Sequence, residues 1–198
     1  MGNIGIIGRA RAGKDTAGKW LVDNRGYRRV AFADALKEAA LRVDPIIIAD
    51  AYPFHDGPVR LGQMVAGMGW ERAKDENPEV RRLLQELGAA VRAIDEDFWL
   101  RAAMKKVMEA NDDGVPCVIT DVRYPNEAAS LRRAGFHLLH IDRPGVPQMD
   151  HASENSLTAA DADWAIVNDG SLHDFHNDLR VIVDRIYAIE SARHANRL

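Results

Sequence analysis

A glycine-bracketed loop near the start of the chain constrains the fold more than any other feature. The apolar run Ile4 to Ile7 precedes it and predicts a buried strand, and a helical pattern from Asp15 to about Asn24 follows it and ends at Gly26. Strand, glycine loop and helix in this order are typical of a phosphate-binding loop. Its backbone N–H groups point inward, the helix N-terminus adds partial positive charge, and a lysine reaches the phosphates. The residues predicted to bind the phosphates of a nucleotide (ATP, if the family resemblance given below holds) are Gly8, Arg9, Ala10, Arg11, Ala12, Gly13, Lys14, Asp15 and Thr16.

The loop departs from the strict pattern G-x-x-x-x-G-K-[ST] at one position. Asp15 stands where serine or threonine is usual, and Thr16 follows it. Nucleoside monophosphate kinases often have Gly-Lys-Gly-Thr here, so a threonine in the second place after the lysine is a known variant. A glycine-containing turn with a solvated lysine is the alternative, and the flanking strand and helix favour the phosphate loop.

Composition narrows the class of protein. A chain of 198 residues can bury one sizeable core, and its formal net charge of −4 argues against broad sequence-independent DNA binding. The single cysteine, Cys117, excludes a disulfide framework and a thiolate-rich zinc site. No apolar run is long enough to span a bilayer, and the first residues do not read as a secretory signal. We therefore expect a soluble protein of the cytoplasm (the host cytoplasm if the protein is viral). Its expected partners are small-molecule nucleotides, without direct binding of polynucleotides or membranes. The chain could also form a homodimer.

Short apolar runs alternate with helical patterns along the rest of the chain. This alternation predicts a parallel sheet covered by helices on both faces, a single α/β domain over residues 1–198. The predicted strands cover 4–7, 27–32, 115–120, 136–141 and 164–167, and the predicted helices cover 15–24, 34–43, 79–94, 96–110, 126–134 and 172–192. The segment 44–78, rich in proline and glycine, is predicted as a mobile insertion with one short helix near 60–68.

Charged residues follow the predicted strands at the edge where α/β sheets bind ligands. Asp121 precedes Arg123 by two residues, and Arg143 comes directly after Asp142. A carboxylate there can hold Mg²⁺ and an arginine can bind a phosphate with two parallel hydrogen bonds, so Asp121 is predicted to join Asp15 and Thr16 at the metal. Asp34 follows the second predicted strand and is equally well explained as the cap of a helix.

The predicted helix 79–94 separates an apolar face from a polar stripe. Arg81, Gln85, Gly88 and Arg92 share the stripe, a combination that suits phosphate, a base edge and close approach of a nucleotide. On its own, this stripe is more simply explained as a solvated face.

Several sequence blocks together resemble the bacteriophage-type deoxynucleoside monophosphate kinases. They are Gly-Lys-Asp-Thr at 13–16, Phe-Ala-Asp-Ala-Leu-Lys at 32–37, Arg-Arg-Leu-Leu-Gln-Glu-Leu-Gly at 81–88, Asp-Phe-Trp at 97–99, Asp-Val-Arg-Tyr-Pro-Asn-Glu at 121–127, Asp-Arg-Pro-Gly at 142–145 and Asp-His-Ala-Ser-Glu at 150–154. The resemblance covers most of the chain in the expected order, and the block at 121–127 is its most specific element.

The resemblance implies a P-loop kinase fold with a five-stranded parallel sheet, a helical substrate-binding insertion at 44–100 and a lid at 143–157. It also implies transfer of the ATP γ-phosphate to a deoxynucleoside 5′-monophosphate with Mg²⁺. Lys14, Arg123 and Arg143 are the predicted catalytic residues, and Asn168 and Gly170 are predicted to line the adenine pocket. The predicted acceptor-binding residues are Asp34, Lys37, Arg81, Gln85, Gly88, Trp99, Asp121, Arg123 and Asn126.

The sequence departs from the family pattern at two places. Ala89 replaces a common threonine, and Arg9 and Arg11 occupy loop positions where smaller residues are usual. These two arginines either bind phosphate or are solvated, and Trp99 either stacks on the base or belongs to the core.

Two other functions are alternatives to this interpretation. A dephospho-coenzyme A kinase or another small-metabolite kinase would share the loop, and a non-catalytic nucleotide-binding module is the second alternative. The guanine motif Asn-Lys-x-Asp of GTPases is absent from the sequence.

Overall fold

The computed structural model describes residues 2–49, 57–146 and 156–196 in two compact units. The first unit comprises residues 1–32 and 103–198, and the second comprises residues 33–102. The strands are β1 (Ile4–Ile7), β2 (Arg28–Val30), β3 (Ile46–Ile48), β4 (Val59–Arg60), β5 (Cys117–Val122), β6 (His137–Asp142) and β7 (Trp164–Val167). The helices are α1 (Lys14–Arg25), α2 (Phe32–Val43), α3 (Leu61–Glu76), α4 (Pro78–Ile94), α5 (Phe98–Asp112), α6 (Pro125–Arg133) and α7 (Leu172–Ala195).

The first unit is built on a five-stranded sheet in the order β2-β5-β1-β6-β7, with every pairing parallel. Every residue of the central strand β1 is buried. Ile4 and Ile6 belong to one apolar cluster with side chains of α1 and α7, whereas Gly5, which alternates with them, lies against Leu131 of α6. Helices therefore cover both faces, and the predicted five-stranded parallel α/β fold is confirmed.

The second unit contains the antiparallel pair β3–β4 and the helices α3 and α4, with α2 from Ala33 onward. Its core consists of Ala40, Val59, Leu61, Met64, Ala73 and Val80. Partly buried leucines of α4 pack against this core, as the apolar face of the predicted helix 79–94 requires.

The described part of segment 44–78 contains more regular structure than the one short helix predicted near 60–68. Instead of a short helix near 60–68, α3 continues to Glu76 across a kink at Gly69, whose φ of 76° only glycine adopts without strain. The start of α3 is held by Asp44, whose Oδ1 accepts a hydrogen bond from the N–H of Gly62 at 2.7 Å. Residues 50–56 of the segment lie outside the described residues.

The boundary between β2 and α2 also differs from the prediction. The strand ends at Val30 and the helix begins at Phe32, so Asp34 lies inside the first helical turn and is not its cap. The carboxylate that reaches the start of α2 is Asp121 of β5, whose Oδ1 accepts from the N–H of Phe32 at 2.9 Å. Among the described residues, no helix combines the length and apolarity that crossing a bilayer demands.

A carboxylate near the end of α7 makes stability of the first unit depend on pH. Glu190 Oε1 lies 3.1 Å from Nε2 of the buried His137 and accepts from Nη1 of Arg193 at 2.7 Å. Burial raises the pKa of Glu190, but the hydrogen bonds from His137 and Arg193 outweigh burial and hold the pKa below its usual value. A carboxyl pKa that is lower in the folded state stabilises the fold above the ordinary carboxyl pKa, and this stabilisation is lost as pH falls.

We therefore expect Glu190→Gln to be less stable than the wild type near neutral pH, with the difference shrinking as pH falls below about 4.5. Urea unfolding at neutral pH and at several acidic pH values measures this difference. Glu109→Gln, at an exposed position on α5, is the control and should change stability little at any pH. A difference between Glu190→Gln and the wild type that stays constant with pH would contradict the prediction.

Candidate nucleotide-binding site

The loop between β1 and α1 has the backbone of an anion-binding turn. Gly8, Arg11 and Gly13 have φ values of 150°, 64° and 111°, and these left-handed positions let the chain curl between strand and helix. Gly13 is the N-cap of α1 and contributes no side-chain hydrogen bond there. The first N–H groups of α1 therefore meet no side-chain cap, and Asp15 and Thr16 are exposed on the same turn.

Both bracketing glycines are required by close contacts with neighbouring strands. A Cβ at Gly8 would collide with the carbonyl oxygen of Ile141 in β6, and a Cβ at Gly13 would lie 2.8 Å from Nδ2 of Asn168. The positions are thus closed to other residues by space as well as by φ. The ends of β6 and β7 hold the loop in its curled form.

Lys14 lies across the loop that it follows. Its Nζ donates to the carbonyl oxygens of Gly8 and Arg9, each at 2.6 Å. An ammonium group donates hydrogen bonds to phosphate oxygens as well as to carbonyl oxygens. The predicted contact of Lys14 with the phosphates stays a prediction.

Asn168, which follows β7, forms hydrogen bonds with the loop between β1 and α1 and with the end of β6. Its Nδ2 donates to the carbonyl oxygen of Ala12 at 2.9 Å, and its N–H donates to the carbonyl oxygen of Asp142 at 2.7 Å. The side chain thereby joins the loop to the ends of β6 and β7. Gly170 is exposed just before α7, and the predicted adenine contacts of both residues stay predictions.

In the block at 121–127, hydrogen bonds fix the backbone of Arg123 while its side chain is exposed. Glu127 is 5% exposed, and its Oε2 accepts from the N–H groups of Arg123 at 2.8 Å and Tyr124 at 3.0 Å. These bonds hold the turn from β5 into α6, while the side chain of Arg123 is exposed. Asn126 lies half-buried in the first turn of α6.

Sequence reasoning missed the role of Glu127, although the signal was present. A glutamate in the first turn of a helix whose side chain reaches back to preceding N–H groups is one half of a capping box. Glu127 stands third in α6, which begins at Pro125.

Charged groups also gather at the end of β6. Arg9 Nη2 lies 3.9 Å from Asp142 Oδ1, and because both side chains are more than 40% exposed this ion pair is weak. Burial lowers the pKa of His140 against the opposing effect of Asp142, so the imidazole is neutral near pH 7. Arg143 follows the strand and is exposed; the predicted lid beyond Val146 lies largely outside the described residues.

The second unit holds the remaining predicted acceptor residues on α2, α4 and α5. Trp99 is only 6% exposed, and its Nε1 donates to the carbonyl oxygen of Gly88 at 3.3 Å. A Cβ at Gly88 would lie 3.3 Å from Leu36, so this glycine allows close packing. The burial of Trp99 favours the core interpretation over base stacking, whereas Gln85 is exposed.

The cations predicted to bind the acceptor have carboxylate neighbours in this unit. Lys37 Nζ lies 3.9 Å from Glu71 Oε1, and Arg81 Nη2 donates to Asp75 Oδ1 at 3.0 Å. Within the described ranges, no three His, Cys, Asp or Glu side chains are grouped as a metal site.

The chain is similar to several known proteins. The family model described as deoxynucleotide monophosphate kinase matches residues 70–179. The putative deoxynucleotide monophosphate kinase of Acanthamoeba polyphaga mimivirus is 29% identical over 196 residues, which is 91% of this chain and 95% of the relative. The deoxynucleotide monophosphate kinase of Enterobacteria phage T4 is 30% identical over 105 residues, 51% of this chain and 44% of the phage protein.

Among solved structures, a sugar kinase from Janibacter sp. HTCC2649 has the same fold. It superposes with a TM-score of 0.51 and 17% identity over 93% of this chain and 95% of that protein. At this identity the likeness concerns the fold alone. Since the family model covers more than half of the residues, the chain is a kinase that belongs to the deoxynucleotide monophosphate kinase family.

Proposed function

We propose that the protein transfers the γ-phosphate of ATP to a deoxynucleoside 5′-monophosphate, giving the diphosphate and ADP. The observation that carries the proposal is Lys14 lying across a curled phosphate loop at the start of α1, in a chain of this kinase family. Membership of the family supports ATP as the phosphate donor.

Residues 8–16 bind the donor in this proposal. Backbone N–H groups of the loop and the Lys14 ammonium surround the β- and γ-phosphates, and Asn168 keeps the loop in shape through the Ala12 carbonyl. Asp15, Thr16 and Asp121 offer the oxygen ligands that Mg²⁺ prefers, so the residues fit this ion. When bound, Mg²⁺ neutralises charge on the phosphates.

Arg123, Lys37 and Arg81 bind the acceptor phosphate, and Arg143 reaches the transferring group. An acceptor oxygen forms the new bond to the γ-phosphorus as the bond to the bridging oxygen of ADP breaks. Since the acceptor is already an anion, the chain needs no general base, and positioning with charge neutralisation supplies most of the rate. Fixing the backbone of Arg123 by Glu127 serves this positioning.

The remaining assignments are also part of this proposal. Gln85 and Asn126 contact the acceptor nucleoside, and Asp34 and Gly88 also belong to the proposed acceptor site. The insertion at 44–100 carries acceptor contacts, and the segment 143–157 acts as the lid. The viral relatives favour the cytoplasm of a host cell as the place of action.

A panel of acceptors tests the proposal. ADP formation from ATP is measured with each of the four deoxynucleoside monophosphates, with dephospho-coenzyme A and without acceptor, and the product diphosphate is identified by chromatography. We expect at least one deoxynucleoside monophosphate to be phosphorylated faster than dephospho-coenzyme A. Faster turnover of dephospho-coenzyme A, or ATP binding with no ADP formed with any acceptor, would overturn the proposal.

A further inference from the structure

Three cations of the second unit lie around carboxylates of helix α3. Lys74 Nζ donates to both carboxylate oxygens of Glu71 at 2.8 Å, and Lys37 Nζ lies 3.9 Å from Oε1 of the same group. Arg81, from α4, binds Asp75 one turn further along α3. Three helices thus bring positive charge to one place on this unit.

The burial of the partners is unequal. The side chains of Lys37 and Lys74 are 22% and 23% exposed, whereas that of Glu71 is 79% exposed. Lysines normally keep their ammonium group in water, and withdrawing it requires an anion or an aromatic ring nearby. The ring of Trp70 lies 5.6 Å from Lys37 Nζ and supplies part of this stabilisation. Two partly buried cations therefore share a counter-ion that itself stands in solvent.

The cations act together on Glu71. The hydrogen bond from Lys74 lowers the pKa of Glu71 most; burial opposes it, and the charges of Lys74, Lys37 and Arg81 lower it further. The positive potential at the carboxylate is therefore set by the same three side chains. A group carrying two negative charges and three oxygens gains more from this potential than a single carboxylate does.

We infer that Lys74 joins Lys37 and Arg81 in binding the 5′-phosphate of the acceptor nucleotide, and that Glu71 is the resident counter-ion which this phosphate displaces. The inference rests on the proposed function and adds two residues that the sequence motifs did not select. Because Glu71 is largely exposed, its carboxylate returns to water at little cost when the phosphate takes its place. A nucleoside without phosphate gains nothing from the three cations.

Direct binding of the acceptor tests Lys74. We expect Lys74→Met to raise the Kd of the preferred deoxynucleoside monophosphate at least tenfold in calorimetric titrations without ATP, and to leave the KM for ATP unchanged. Arg72→Met is the matched control, because Arg72 lies on the same helix, is 66% exposed and pairs with Glu76. Its Kd should equal that of the wild type. Binding of the nucleoside lacking the phosphate should be the same in all three proteins.

Glu71→Gln separates displacement from a structural role because the two predict opposite signs. Removing the resident charge should lower the Kd of the acceptor several-fold and strengthen competition by inorganic phosphate. If Glu71 only organised the lysines, its replacement would raise the Kd as Lys74→Met does, and the inference would fail. A wild-type Kd in Lys74→Met would overturn it as well.

Folding and the parent proposal are checked separately. Lys74→Arg keeps the charge and should retain the Kd within a few-fold, and thermal unfolding of each variant shows whether the second unit is intact. Should Lys74→Met not fold, the sign of the Glu71→Gln effect still decides. If the wild type phosphorylates no deoxynucleoside monophosphate, the proposed function fails; if it does so and Lys74→Met binds normally, only this inference fails.

Discussion

Replacement of Lys14 by alanine is expected to remove most phosphoryl transfer while the first unit stays folded. The ammonium is the cationic side chain that lies across the loop, and loss of such a charge-stabilising donor lowers kcat by about 10²–10³ or more. The two hydrogen bonds to the Gly8 and Arg9 carbonyls are partly solvated, so stability should fall by only about 1–2 kcal/mol. Initial rates and urea unfolding measure the two effects.

Lys19→Ala is the matched control for this prediction. Lys19 lies on the same helix, is 77% exposed and pairs with Asp23, away from the loop. Its replacement should leave kcat within a factor of two of the wild type. Turnover by Lys14→Ala close to that of Lys19→Ala would contradict the proposed role of the loop.

Gly8→Ala is expected to be the most destabilising single-methyl change at the site. The new Cβ would meet the carbonyl oxygen of Ile141, which belongs to the backbone of β6 and cannot rotate away, and alanine is also strained at a φ of 150°. Overpacking and an unfavourable φ together cost about 2–5 kcal/mol. The loop must then shift, so ATP binding should weaken in parallel with stability.

Gly135→Ala separates the effect of φ from the effect of the contact. Gly135 has a φ of 83°, and a Cβ there would meet nothing within 4 Å, so only about 1–2 kcal/mol should be lost. Chemical unfolding of both variants gives the comparison, and calorimetry gives the affinity for ATP. Equal losses of stability in the two variants, or unchanged ATP affinity in Gly8→Ala, would show that β6 does not constrain the loop as described.

Elements defined by local pattern could be predicted from the sequence. The curled loop after β1, α1 with its end at Gly26 and strand β7 follow from neighbouring residues alone, and the structure agrees. The start of α2 could not be placed, because the carboxylate that reaches it belongs to Asp121, 89 residues away. The proline and glycine content of segment 44–78 predicts only one short helix, but α3 continues across a kink at one of these glycines, Gly69.

In the candidate site, too, features within one contiguous motif could be predicted from the sequence, and contacts between distant residues could not. Lys14 and the glycines of the loop carry their signal in a contiguous motif. The contact of Asn168 with Ala12 spans 156 residues, and the counter-ion relation of Glu71 with Lys37 joins two different helices. Such relations depend on tertiary packing, which a single sequence does not reveal.

The contact between Asn168 and Ala12 has a consequence for the evolution of the chain. Asn168 contacts the loop through its side chain and the end of β6 through its backbone N–H. The positions of the loop, the end of β6 and the end of β7 therefore depend on one another. Substitutions near β7 that tilt this asparagine will change nucleotide affinity without touching a nucleotide. Selection on the opening residues of the chain therefore also restrains which changes its last third can accept.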